Sequence, residues 1–400
     1  MNLGYVPAIG GVNCAAPRAC NGIARYRDGG ATRLLPRETG CYFRGSFEFG
    51  ASDAEATMKA IVYSEHGGPE VLRYTEVADP QIGPNEVLVR VRACALNHLD
   101  LWLRKGIPGM PIPLPHIPGS DIAGEVAKIG GTVTNTQVGA KVLLQPGISD
   151  GICAQCLAGR DNMCRSYTLF GQGVDGGCAE YVKSPAVNVL PIPAALSFEQ
   201  AAAVPLVFLT AWHMLFGRAH LQAGETVLVL GAGSGVGSAA IQLAKNAGAR
   251  VIATAGSEAK LAKAKELGAD DVIDHSKQKI STEVKRITQR RGVDVVFEHV
   301  GVATWDDSVY SLAPGGRLVT CGATTGYEAK VDLRYLFTRH ISLLGSFMGS
   351  KAEMFPVLEL FNRGLLKPVI DTVMPLAQCA AAHERLEHRE QFGKIVLRVA

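Results

Sequence analysis

The chain has 400 residues, of which 47% are apolar, and 40 Lys and Arg face 37 Asp and Glu, a net charge of +3. A chain of this size can bury two or three domain cores, and its balanced charge argues against nucleic acid or a membrane surface as a partner. We find no apolar run of the roughly 18 to 20 residues that span a bilayer and no signal-peptide pattern. We therefore expect a cytoplasmic protein.

Residues 1–57 are rich in Gly, Pro, Ala and Arg and follow neither the period of a strand nor that of a helix. Such a segment buries too little apolar surface to offset the entropy lost on ordering, so we expect it to be mostly disordered. Met58 is then the first residue of the working protein. An organelle transit peptide is the alternative, but frequent Gly and Pro disfavour the amphipathic helix that it needs.

Two patterns follow Met58. Short runs such as "EVLVRVRACALN", broken by Gly and Pro, predict an all-β, barrel-like unit. Further on, continuous apolar strands alternate with helices, which predicts a parallel sheet covered on both faces and hence an α/β protein. The last strand of the tail can rejoin the first unit. We place the barrel-like unit at residues 58–205 and 349–400 and the parallel sheet at residues 206–348.

The turn "GAGSGVG" joins an apolar strand to a helix in this second unit. Its glycines allow the backbone to approach a diphosphate, and the helix that follows directs free N–H groups and a partial positive charge at the anion. Because the turn lies within a strand–helix–strand unit, it predicts dinucleotide binding. The residues expected to contact the cofactor here are Gly231, Gly233, Ser234, Gly235, Val236 and Gly237.

The end of the second strand, "ATAGSEAK", bears on the choice of dinucleotide. NAD sites usually carry an acidic residue at this point, to bind the ribose hydroxyls, whereas this chain has Ala255 and Gly256. Ser257 and Lys260 follow and offer a hydroxyl and an ammonium to a 2′-phosphate. We predict NADP(H) over NAD, although Lys260 could instead be a solvated helix residue held by Glu258.

Three of the ten cysteines cluster in "DGICAQCLAGRDNMC", with the spacing C-x2-C-x7-C and an aspartate ahead of them. In a reducing compartment such a cluster is more often a metal site than part of a disulfide framework.

The segments "CALNHLDLWLRKG", "PHIPGSDIAGEV", "GGCAEYV", "LTAWHML" and "FGKIVL" occur in an order that carries a family resemblance. From Met58 to Ala400 the chain resembles the medium-chain dehydrogenase/reductase superfamily, which includes zinc alcohol dehydrogenases and quinone oxidoreductases. The resemblance implies a GroES-like β-barrel catalytic domain and a Rossmann cofactor domain. It also implies a homodimer, formed through the edge of the cofactor-domain sheet, or a homotetramer.

In the zinc alcohol dehydrogenases a cysteine, a histidine and a second cysteine bind a catalytic zinc beside a glutamate. The resemblance puts Asn97, Ser120 and Leu206 at the three ligand positions, and Asp121 at that of the glutamate. A catalytic zinc needs three protein ligands. This chain is therefore similar to the quinone oxidoreductase-like branch, which lacks that metal and has Asn at the position of Asn97.

The same superfamily carries a lobe in which four cysteines bind a structural zinc. Here the lobe covers about residues 147–170, and the implied ligands are Asp150, Cys153, Cys156 and Cys164. A carboxylate oxygen is an acceptable zinc ligand. Cys178 is an alternative fourth ligand, and three free thiols without metal remain the other possibility.

Without a catalytic metal, a conjugated acceptor is the easier substrate, because its negative charge is delocalised onto an oxygen that hydrogen-bond donors can stabilise. We expect Asn97 to supply such a donor and Asp100 to organise it, while His98 either delivers a proton or is structural. The resemblance further implies that the cofactor contacts Thr210, His275, Gly322, Ala323, Phe347 and Met348.

These expectations together describe an NADPH-dependent reductase of a small quinone or α,β-unsaturated carbonyl compound. The alternatives are a zinc-dependent alcohol dehydrogenase and a non-catalytic NADPH-binding protein.

Overall fold

The structure, a computed structural model, describes residues 56–399. The disorder predicted for residues 1–57 lies outside the described residues, except that Thr57 begins the first strand. The strands are β1 (Thr57–Val62), β2 (Arg73–Ala78), β3 (Glu86–Ala95), β4 (Asp121–Ile129), β5 (Lys141–Leu144), β6 (Gly147–Ile148), β7 (Thr168–Leu169), β8 (Tyr181–Pro185), β9 (Val189–Pro191), β10 (Thr226–Val229), β11 (Arg250–Ala255), β12 (Asp271–Asp274), β13 (Val293–Glu298), β14 (Leu312–Thr320), β15 (Ser342–Gly345), β16 (Ile370–Pro375) and β17 (Lys394–Arg398).

The helices are α1 (His98–Lys105), α2 (Ala154–Leu157), α3 (Phe198–Ala202), α4 (Pro205–Trp212), α5 (Gly235–Asn246), α6 (Glu258–Glu266), α7 (Ile280–Ile287), α8 (Val302–Tyr310), α9 (Leu333–Thr338), α10 (Lys351–Asn362) and α11 (Cys379–Glu387). A π-helical turn, His213–Arg218, continues α4. Within residues 56–399, none of the helices combines the length and the apolarity that crossing a membrane requires.

The first sheet is the predicted β unit. Its strands run in the order β16, β17, β3, β4, β5, β9, and β8 also pairs with β3. The central strand β3 alternates buried and less buried side chains, as expected of a strand with one face on a core. The last strand, β17, pairs antiparallel with β3, with Val396 opposite Ala95. The tail therefore rejoins the first unit, as the sequence predicted.

The second sheet is parallel throughout, in the order β12, β11, β10, β13, β14, β15. Strand β10 is completely buried. From β10, successive strands of the chain first add on one side of the sheet and then, from β13, on the other. Such sheets bind ligands in the crevice at this reversal, which here lies at the carboxyl ends of β10 and β13. The α/β class and the Rossmann sheet are confirmed.

The tail packs on α4 before it enters the first sheet. Helix α10 packs on α4, where the Phe208 and Phe361 rings meet at 4.8 Å, and the chain then continues into β16 and β17 of the first sheet. The division into residues 58–205 with 349–400 and residues 206–348 stays a prediction.

Candidate functional site

The turn that carries Asn97 is held by a buried carboxylate. Asp100 accepts a hydrogen bond from the Asn97 backbone N–H at 2.7 Å and another from the Gly119 N–H at 3.0 Å. Burial raises the pKa of Asp100. Asp100 thus ties the start of α1 to the chain entering β4.

The Asn97 side chain belongs to a closed ring of three buried polar groups. Its Nδ2 donates to Asp121 Oδ2 at 3.0 Å, and the Lys394 ammonium donates both to that same oxygen at 2.8 Å and to Asn97 Oδ1. The second hydrogen of Nδ2 has only a marginal contact, with the Ala95 carbonyl at 3.5 Å. One amide hydrogen therefore remains to donate to another group.

The positions compared above with zinc ligands hold groups of another kind. Ser120 is buried and donates through its hydroxyl to the Phe170 carbonyl at 2.7 Å. Leu206 offers its backbone N–H, which donates to Asp121 Oδ1 at 2.7 Å. An ammonium, an amide and a carboxylate therefore lie together where the sequence comparison placed the catalytic metal.

The glycine turn has the geometry that dinucleotide binding requires. Gly231 has a φ of +60°, which favours glycine, and Ser234 caps α5 by accepting from the Gly237 N–H at 2.9 Å. A Cβ on Gly237 would lie 2.4 Å from the Gly231 carbonyl oxygen. Residues 233–236 are partly exposed, so the start of α5 is accessible to an anion, with Val236 in its first turn.

Side chains from distant segments pack on this turn. A Cβ on Gly233 would lie 3.2 Å from Lys260 Cδ, and one on Gly235 would lie 2.8 Å from Lys394 Cδ. The Gly393 N–H also donates to the Gly233 carbonyl at 2.9 Å. Lys394 therefore lies between the start of α5 and Asn97.

Two histidines lie near the same turn. His299 follows β13, and its Nε2 lies 2.9 Å from the Leu230 carbonyl oxygen and 3.3 Å from the Ser234 hydroxyl. Burial lowers the pKa of His299. Burial, followed by the charges of His299, Arg389 and Lys394, lowers the pKa of the half-buried His98 to about 4. Both pKa shifts favour the neutral imidazole at pH 7, and the charges of Arg389 and Lys394 act on His98.

The residues predicted to select NADP come together at the end of β11. Ser257 caps α6, and a Cβ on Gly256 would lie 3.0 Å from His275 Nε2. The Lys260 ammonium donates to the Arg389 carbonyl at 2.6 Å. The charges of Arg389 and Lys260 also lower the pKa of His275, after burial. Arg389 thus adds a second cationic side chain, beside Lys260, to this group.

The residues predicted for the nicotinamide end lie in three places. Thr210 contacts Met348, with 3.7 Å between the hydroxyl and the sulfur, and both side chains are buried. Phe347 turns away from them, because its half-exposed ring packs on Tyr167, at 5.9 Å between centroids. Gly322 and Ala323 follow β14 beside the chain after β13, where a Cβ on Gly322 would lie 2.9 Å from the His299 carbonyl oxygen.

The lobe brings its four predicted ligands together. One ligand atom each from Asp150, Cys153, Cys156 and Cys164 lies within 4.8 Å of the others. Cys153 Sγ and Cys156 Sγ are 3.6 Å apart, close to the roughly 3.8 Å edge of a tetrahedron with 2.3 Å zinc–sulfur bonds. Within residues 56–399, no other group of three or more His, Cys, Asp or Glu side chains is close enough together to hold a metal ion.

Cys178, the alternative ligand, lies elsewhere. It is fully buried, and its sulfur is 3.8 Å from that of Cys94.

Sequence reasoning missed Lys394, His299 and Arg389. Lys394 lies in "FGKIVL", one of the segments that carry the family resemblance, and His299 follows the apolar strand β13. A lysine among the apolar residues of a buried strand was a usable signal, because a buried ammonium requires partners. Nothing local indicated which residues those partners would be.

Comparisons with known proteins agree with this architecture. Residues 83–194 match the family model of the alcohol dehydrogenase GroES-like domain, and residues 235–363 match that of the zinc-binding dehydrogenases. The chain is 32% identical to a quinone oxidoreductase of Rattus norvegicus, over 85% of this chain and 97% of that protein.

Two further relatives have other activities in their names. An acryloyl-coenzyme A reductase of Metallosphaera sedula is 33% identical, over 85% of this chain and 99% of that protein. The crystal structure of an NAD-dependent alcohol dehydrogenase is 47% identical, with a TM-score of 0.83, over 86% of this chain and 100% of that one. The chain is an oxidoreductase of the medium-chain dehydrogenase/reductase superfamily.

Proposed function

We propose that this protein is an NADPH-dependent reductase that transfers hydride to a quinone or an α,β-unsaturated carbonyl compound, without a catalytic metal. The observation that carries the proposal is the buried ring of Asn97, Asp121 and Lys394 at the position compared with the catalytic zinc site. The named relatives include both a quinone oxidoreductase and an acryloyl-coenzyme A reductase, which supports a conjugated acceptor.

The cofactor fits the residues of the crevice. The open start of α5 and the glycines Gly231 and Gly235 would hold the diphosphate. Ser257, Lys260 and Arg389 would hold a 2′-phosphate, since no acidic side chain ends β11. Bound NADPH supplies the hydride.

Stabilisation of the negative charge on the acceptor depends on Asn97. As hydride adds to a conjugated carbonyl, negative charge develops on its oxygen, and the second Asn97 amide hydrogen, which has only the 3.5 Å contact with the Ala95 carbonyl, would bind that oxygen. A simple ketone would need stronger polarisation, of the kind that zinc supplies. The ring offers one carboxylate, an amide and an ammonium, which fall short of the three protein ligands that a catalytic zinc needs.

The test measures metal content and NADPH oxidation in the same preparation, with panels of quinones, enones, enoyl thioesters, ketones and aldehydes. We expect at most one zinc per chain, turnover with conjugated acceptors, and no inhibition by 1,10-phenanthroline. A second zinc per chain, together with chelator-sensitive oxidation of alcohols, would identify a zinc alcohol dehydrogenase instead. Cofactor binding without turnover of any acceptor would identify a non-catalytic binding protein.

The 47% identity to an NAD-dependent alcohol dehydrogenase favours one second candidate, the interconversion of alcohol and carbonyl with NAD. Oxidation of alcohols with NAD and with NADP, measured on the same preparation, tests it.

A further inference from the structure

Lys394 is the buried cation nearest the candidate active residue, and no role has yet been given to it. Its side chain is 3% exposed, and its ammonium has two anchors, Asp121 Oδ2 at 2.8 Å and Asn97 Oδ1. Burying an ammonium is costly unless it is paired and hydrogen-bonded. The groups that contact the Lys394 ammonium therefore indicate what its charge does.

The ring determines how the Asn97 amide is turned. A cation faces the amide oxygen, and a carboxylate faces the amide nitrogen at 3.0 Å. Rotating the amide by half a turn would place N–H groups against the ammonium and oxygen against the carboxylate, so both contacts become repulsive. An isolated asparagine has no such preference, because the two ends of its amide are nearly equal in size.

We infer that Lys394 is a positioning residue, which together with Asp121 keeps the free amide hydrogen of Asn97 directed at the acceptor oxygen. This inference rests on the proposed function and names a residue on which that function depends. A hydrogen bond from an ammonium to the amide oxygen also polarises the amide and strengthens its N–H groups as donors. The pair thus orients the donor and strengthens it.

Lys394 is well placed for this task by its packing. Its stem passes the start of α5, where a Cβ on Gly235 would lie 2.8 Å from Lys394 Cδ. Asp121 is held from its other side by the Leu206 N–H at 2.7 Å, at the start of α4. The ring is therefore attached to the first sheet and to the starts of α4 and α5, and the amide of Asn97 is fixed relative to the crevice that would hold the cofactor.

The first experiment compares steady-state kinetics of the wild type with Lys394→Met, Lys394→Arg and the double variant Lys394→Met with Asp121→Asn. The double variant removes both charges, so that no unpaired carboxylate is left buried. We expect kcat to fall about tenfold or more in both methionine variants while the KM for NADPH changes less than about threefold. Lys394→Arg should recover most of kcat, because it keeps a cation on the amide oxygen.

Lys245→Met is the matched control. Lys245 forms an ion pair with Asp270 at 2.7 Å on the exposed side of the second sheet, and the same substitution there should leave kcat unchanged. If the Lys394 variants lose NADPH affinity while kcat is preserved, Lys394 is a cofactor ligand and the inference is wrong.

The second experiment needs no turnover. In ¹⁵N NMR spectra of the cofactor-free protein, the Asn97 side-chain amide is assigned by its disappearance in Asn97→Ala. Its hydrogens should exchange slowly with water in the wild type and in Lys394→Arg, and much faster in the double variant. Unchanged exchange in the double variant would overturn the inference. If the wild type reduces no acceptor, the proposed function fails and this measurement still decides the role of Lys394.

Discussion

The guanidinium of Arg104 donates to Nδ1 of His383 at 3.1 Å, and both side chains are fully buried. The contact joins the last turn of α1, the helix that follows Asn97, to α11. Arg104 also donates to the Gly67 carbonyl at 3.1 Å and is paired with Glu387. Because the Arg104 guanidinium can only donate, Nδ1 of His383 must accept. His383 is therefore a neutral imidazole that carries its hydrogen on Nε2.

Arg104→Met should lower the free energy of unfolding by about 1 to 3 kcal/mol, because it leaves the buried His383 Nδ1 without its donor, while the partly exposed Glu387 keeps Lys105. Urea unfolding followed by circular dichroism measures this. Lys105→Met is the control, since Lys105 binds the same Glu387 from an exposed position and should cost less than about 1 kcal/mol. Equal losses in the two variants would contradict the prediction.

His383 makes stability depend on pH. Burial, with a further contribution from Arg104, lowers its pKa in the folded protein to about 4, from an ordinary value of about 6.5. The unfolded chain therefore binds more protons between these two values, and stability falls as pH drops from 6.5 towards 4. The expected contribution is up to about 1.4 kcal/mol per pH unit.

Unfolding free energies measured between pH 7 and pH 4.5 test this dependence. His383→Gln keeps an acceptor for Arg104 but does not titrate, so its stability should vary less with pH than that of the wild type. An identical pH dependence in the two proteins would show that His383 contributes nothing to it.

The lobe should hold one zinc per chain. Cys164→Ser should reduce the bound zinc measured by inductively coupled plasma mass spectrometry, because the closed site needs four ligands. Asp150→Cys should bind zinc more tightly in competition with a chromophoric chelator, since thiolate replaces carboxylate. Cys178→Ala is the control and should keep its zinc, because Cys178 lies beside Cys94. Loss of zinc from that variant alone would reverse the ligand assignment.

Lys260→Met should weaken NADPH binding about tenfold while leaving NADH binding unchanged, because one charge-assisted contact with a 2′-phosphate is lost. Titration of cofactor fluorescence measures both dissociation constants. Lys265→Met, an exposed change on the same helix, should alter neither. A protein that binds NADH more tightly than NADPH from the outset would disprove the predicted cofactor preference.

Much of the fold was predictable because its signals are local. The continuous apolar strands, the turn from Gly231 to Gly237 and the cysteine spacing each lie within a few tens of residues. Strand period and glycine geometry depend on neighbouring residues only, so the parallel sheet and the cofactor turn could be inferred before any contact was known. The family resemblance then put Asn97 at the candidate site.

The partners of Asn97 were decided by the tertiary structure alone. Lys394 is 297 residues away along the chain, and His383 is 279 residues from Arg104. Such pairs form only when β17 pairs with β3 and α11 packs beside α1. The hydrophobic periodicity of a single segment does not predict either contact. A sequence shows which side chains are polar within apolar segments. Burial and long-range packing determine which of them neutralise one another and which donor is left free for a substrate.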